Sequence, residues 1–105
     1  EMAIEIEVAR NLSYEARWKS VNGMPMITTA NEMKVLGSTL IRKVANLGMA
    51  ILGEYGQLVE GSKWDKVMGR MHHLYFGSLF TISEGGTIEV ARNTIATIGL
   101  GLPRH

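Results

Sequence analysis

At 105 residues the chain has room for one small domain with a marginal core, and 11 basic against 10 acidic side chains leave a net charge of +1, too balanced for a nucleic-acid binder. There is no cysteine, which excludes disulfides and thiol chemistry and suits a reducing compartment; 46% hydrophobic residues and only two prolines favour a compact helical fold. Lys, Arg, Asn or Gly interrupts the apolar runs short of the ~20 residues of a membrane span, so a soluble chain without one is expected.

The first residue is Glu1 rather than methionine, which suggests a piece of a longer protein. From Glu1 to Val21, Ile4, Val8, Leu12 and Ala16 recur four apart and predict a first helix, ended by Asn22-Gly23 with Pro25 beyond. Thr29 to Glu32 reads as a capping box that opens a second helix, whose stripe is Met33, Leu36, Leu40, Val44, Leu47 and Ile51. Gly37, Ser38, Ala45 and Gly48 are small enough to admit a neighbouring helix, and Gly53 is the stop. After a glycine-punctuated loop, Ser62 and Asp65 predict the cap of a third helix carrying Trp64, Val67, Met68, Met71, Leu74 and Tyr75. A fourth helix should start near Thr87 and close at Gly99, with Gly101 and Pro103 after it. Short connections between four helices predict an all-α fold, an antiparallel up-and-down four-helix bundle in one domain over 1–105.

The stretch Ile82 to Arg92 carries the most chemistry. Gly85 and Gly86 let the backbone lie open, Thr87 is an N-cap, and Ile88, Ala91, Ile95 and Ile98 repeat at helical spacing behind it. The free N–H groups at such a helix start, and its positive dipole end, can hold an anionic or electron-rich group beside the Glu84 carboxylate. A loop followed by a capped helix is the plainer reading of the same residues. His72 and His73 are adjacent, so on a helix their side chains diverge by about 100° and do not share an ion. They read as surface or packing histidines, and no metal is expected. Met33, Met68 and Met71 read as core packing.

Gly-Gly-Thr-x-Glu-x-x-Arg-Asn at 85–93, followed by Gly-Leu-Gly-Leu-Pro-Arg at 99–104, resembles the carboxyl end of acyl-CoA dehydrogenases, flavoenzymes of fatty acid metabolism that desaturate acyl-CoA thioesters. Ala9 to Trp18, Asn31 to Gly56 and Arg70 to Ile82 fit the same alignment in order, so the resemblance covers nearly the whole chain. It implies the C-terminal helical domain of a longer cytoplasmic oxidoreductase, with FAD as cofactor, an acyl-CoA substrate, electron-transfer flavoprotein or another acceptor as partner, and a homo-oligomer, dimer or tetramer. The fragment alone is expected to be inactive.

The resemblance also implies roles for particular residues. Gly53 and Gly56 fill a glycine turn that touches the FAD of a neighbouring subunit, with Glu54 in place of a second glycine and Ala50 where many members have a glutamine. Gly86, Thr87 and Glu89 fill positions against FAD, while Gly85 and Arg92 fill substrate positions. The family's catalytic base is often a glutamate directly before Gly-Thr; here Gly85 stands there and Glu84 is one residue early. Glu84 is the base if the extra glycine is an insertion. Otherwise the base comes from an upstream helix, or from a partner subunit that this base-lacking chain accompanies. A non-catalytic helical assembly module is the rival from another class.

Overall fold

The computed structural model describes residues 1–65, 67 and 69–104. The described residues carry four α-helices and no strand, as the sequence implies: α1 (Met2–Val21), α2 (Ile27–Leu52), α3 (Arg70–Thr81) and α4 (Ile88–Thr94). A 3₁₀ turn over Gly53–Gln57 follows α2, and a π-helical turn over Ile95–Gly99 prolongs α4. Contacts divide the chain into two compact units, one of Glu1–Gly37 with Gly85–His105 and one of Ser38–Glu84.

In the first unit α1 ends where the sequence places it. Gly23 takes φ +64, its N–H donates to the Ser20 carbonyl, and the Met24 N–H reaches back to the Lys19 carbonyl at 2.9 Å. That double closure is a Schellman cap. α2 starts earlier than its capping box implies. The Ala30 N–H already donates to the Met26 carbonyl, so Thr29 lies inside the first turn. Its hydroxyl, 1% exposed, instead accepts from the Lys19 ammonium at 2.7 Å, and Lys19 also pairs with Glu15. A buried acceptor for a cation outcompetes a cap that the helix start does not need.

Thr29→Val keeps the shape and removes one partner of that ammonium, which keeps its Glu15 pairing and partial exposure, so it is expected to lower stability by about 0.5–1.5 kcal/mol. The exposed Glu7–Arg10 pair provides the contrast, because its removal should cost only a few tenths of a kcal/mol. Urea unfolding of the two variants checks both figures.

In the second unit the buried positions are small. Ala45 and Ser78 are fully covered, Ser38 donates from its hydroxyl to the Thr81 carbonyl at 3.1 Å, and a Cβ on Gly48 would run into the Met71 thioether. Small residues thus permit close packing, as expected, although Gly37 is exposed. The large stripe is another matter: Leu47 is 46% and Ile51 75% exposed. On α1, likewise, only Ala16 of the predicted stripe is buried, while Ile4 and Val8 stand out.

The third helix is shorter than expected. Asp65 accepts the Val67 N–H through its carboxylate at 3.0 Å, which makes a local turn rather than a helix start, and Gly69 at φ +62 sets the true start at Arg70. Met68, one of the residues assigned to that stripe, lies outside the described residues. Ile27–Gln57 is long and apolar enough to cross a bilayer by length and composition alone, a test that the core helix of a domain also passes. A helix meant to be covered by protein on most sides has the same composition.

Candidate functional site

The loop before α4 belongs to both units, and each part has its own geometry. In the second unit, the Ser83 and Glu84 N–H groups donate to the Phe80 carbonyl at 3.1 and 2.9 Å, which winds the end of α3 into a turn. Glu84 is exposed there. In the first unit, Gly85 and Gly86 adopt φ +70 and +107, and a Cβ on either would meet nothing within 4 Å. The glycines therefore answer to backbone conformation, with open space beside them, and not to crowding from this chain.

Thr87 closes the loop as its sequence position implies. It has extended backbone, and its hydroxyl accepts the Val90 N–H at 3.3 Å. Ile88 and Ala91 are buried and anchor α4, which leaves Glu89 in its first turn and Arg92 in its last, both exposed. Gly85, Gly86, Thr87 and Glu89 are thus brought together by chain continuity, with Arg92 one turn on.

Gly53 and Gly56 differ from each other. Gly53 ends α2 at φ +56 with open space around it. Gly56 is buried, and a Cβ there would sit 3.0 Å from the Met49 sulfur and 3.4 Å from Leu52 Cβ, a tight fit in which Met49 would have to give by a few tenths of an ångström. Tyr55 and Glu54 between them are exposed. The backbone at Gly53 in the second unit, and separately at Gly85 and Gly86 in the first, is open enough for main chain to come close to a ligand such as the FAD that the resemblance implies. The Glu54 carboxylate beside Gly53 opposes a pyrophosphate at that turn.

Two features were not legible in the sequence. The π-helical turn, closed by the Leu100 N–H on the Ile95 carbonyl at 3.0 Å, helps shape an open groove of about 620 Å³ lined by Val90, Asn93, Thr97, Leu102 and Arg104. A second open groove, of about 810 Å³, runs past Glu60, Arg70, His72 and His73. Among the described residues, no group of three or more His, Cys, Asp or Glu is placed to hold a metal, and His72 packs on Phe76 with ring centroids 4.8 Å apart.

Comparison with known proteins fits this geometry. The family profile for the acyl-CoA dehydrogenase C-terminal domain matches residues 1–100. Acyl-CoA dehydrogenase FadE26 of Mycobacterium tuberculosis is 34% identical over 80 residues, which is 76% of this chain and 20% of that protein. Among solved structures, the Tcur3481-Tcur3483 steroid ACAD superposes with a TM-score of 0.92 at 26% identity, over 99% of this chain and 27% of its own. The ChsE4-ChsE5 complex of Mycobacterium tuberculosis gives 0.86 at 31% identity, over 98% of this chain and 26% of its own. The chain thus spans about a fifth to a quarter of the length of these relatives. A match from the first residue through the Gly-Gly-Thr loop and α4, with the same fold in the solved relatives, means that the chain belongs to the acyl-CoA dehydrogenase family as its C-terminal helical domain.

Proposed function

We propose that this domain serves a cytoplasmic FAD-dependent enzyme that desaturates an acyl-CoA thioester between its α and β carbons, and that it contacts both the flavin and a neighbouring subunit. The observation that carries the reading is the Gly85-Gly86-Thr87 turn, two exposed glycines at positive φ running into a capped helix within a chain of this family. In this reading main chain at Gly53 and Gly56 touches the FAD of a neighbouring subunit, Gly86, Thr87 and Glu89 lie against FAD, and Gly85 and Arg92 meet the substrate. When bound, FAD supplies the acceptor for the hydride that leaves the β-carbon. Glu84 takes the α-proton onto a carboxylate oxygen, for which its surroundings must be dry. Because Glu84 is exposed in this chain, that dryness has to come from the rest of the enzyme or from substrate. Electron-transfer flavoprotein or a similar carrier then reoxidises the enzyme.

A second reading, a chain without a base that works beside an active subunit, is favoured by one observation: glycine, not glutamate, occupies the position directly before Gly86-Thr87. The full-length enzyme tests the two readings. Anaerobic bleaching of its flavin by linear and steroid acyl-CoA thioesters supports the first, and the steroid thioesters are included because one solved relative is described as a steroid ACAD. Bleaching only after a homologous subunit is added supports the second. No bleaching in any combination would reject both.

The isolated 105-residue chain should be helical and colourless, because a lone domain offers FAD only a fraction of the contacts that a cofactor site needs. Stoichiometric flavin in a yellow preparation would contradict this. Association is expected as well. Ile4, Val8, Tyr14, Trp18 and Val21 on α1, and Leu47 and Ile51 on α2, are large apolar side chains left exposed, more than a stable monomer normally shows. Light scattering should report a dimer or larger species, and a monomer at high concentration would count against subunit contact through this domain.

A further inference from the structure

We propose that Asn22 is a site of spontaneous deamidation, paced by opening of the cap that ends α1. Asparagine occurs at 11, 22, 31, 46 and 93, and only Asn22 is followed by glycine. The other four lie inside α1, α2 and α4 and precede Leu12, Glu32, Leu47 and Thr94, so each following nitrogen is shielded by a side chain and committed to a helical backbone. Asn22 sits outside the helix, exposed, as the C-cap of α1. Glycine leaves its own nitrogen without a Cβ beside it.

The chemistry needs only water as co-reactant. The deprotonated Gly23 nitrogen attacks the side-chain carbonyl carbon of Asn22 and forms a new C–N bond, while the bond to Nδ2 breaks and ammonia leaves. Water then adds to either carbonyl of the resulting succinimide and opens the ring, which gives aspartate or isoaspartate at position 22. No electrons change hands.

The folded cap restrains this reaction. The Gly23 N–H donates to the Ser20 carbonyl and the Asn22 side-chain amide donates to the Trp18 carbonyl at 2.8 Å, so both reacting groups are engaged. The restraint is partial, since the Gly23 bond is long at 3.3 Å and helix ends are among the first segments to open. Once formed, a carboxylate at position 22 can no longer donate to Trp18, and it lies against the negative end of the α1 dipole. The change therefore loosens the last turn of α1, where Lys19 holds Thr29.

The test is to age the purified chain in mildly alkaline buffer, folded and in urea, and to map it by tryptic digestion and fragment mass spectrometry. An amide-to-acid mass gain should appear at Asn22 before any other asparagine, as both aspartate and isoaspartate, rising with pH and several-fold faster in urea. Asn22→Gln should abolish the early gain. A first gain at Asn31 or any other asparagine, aspartate without isoaspartate, or equal rates in folded and unfolded chain would overturn the proposal.

Discussion

Gly69→Ala is expected to destabilise the chain by about 2–4 kcal/mol, a large share of the stability of a small domain. Two costs combine at this position. Its φ of +62 lies in the left-handed region, which costs an alanine roughly 1–2 kcal/mol. In addition, the new Cβ would run into the backbone nitrogen of Glu60 and lie 3.1 Å from Glu60 Cα and the Val59 carbonyl carbon. A side chain could swing aside, whereas main chain has to be displaced. Gly61→Ala is the control, with φ +86 and nothing within 4 Å of its Cβ, so it should cost only the conformational part. Urea denaturation of both variants measures the difference. Equal midpoints would show that the loop does not press on Gly69, and the start of α3 would then need another explanation.

Glu84→Gln in the full-length enzyme is the second large effect. The amide keeps the shape of the carboxylate but cannot accept the α-proton, so flavin reduction by acyl-CoA should slow by about 10²-fold or more, while FAD content and ligand affinity change little. That split between rate and binding is what marks a catalytic group. An upstream base would leave the variant within a few-fold of wild type, since an exposed carboxylate beside a site contributes field and not proton transfer. A chain lacking a base would show no reduction before or after the substitution until a homologous subunit is supplied. Stopped-flow bleaching separates the three outcomes, and a variant reduced at the wild-type rate removes Glu84 from the reaction.

Local signals in the sequence were reliable where the chain decides its own conformation. The glycine at 23 with its asparagine cap, the stop at Gly53 and the Thr87 cap all appear as read, because each depends on a few adjacent residues and on hydrogen bonds within one helix end. Signals failed where a distant partner competed. Thr29 has the chemistry of a cap, but Lys19 from the neighbouring helix takes its hydroxyl. Asp65 has the chemistry of a helix start, but the left-handed turn at Gly69 and the close approach of Glu60 delay α3 to Arg70.

The candidate site divides along the same line. The residue order of the Gly-Gly-Thr loop, the capped start of α4 and the family they indicate follow from the sequence by itself, since a motif is a property of neighbours in the chain. The tertiary structure alone decided which glycines are open and which are crowded: Gly53, Gly85 and Gly86 have room beside them, whereas Gly56 is tightly flanked by Met49 and Leu52. It also decided that the apolar stripes are left uncovered at Ile4 and Val8 of α1 and at Leu47 and Ile51 of α2. Helical periodicity fixes which side chains share a face, but only packing determines what, if anything, lies against that face.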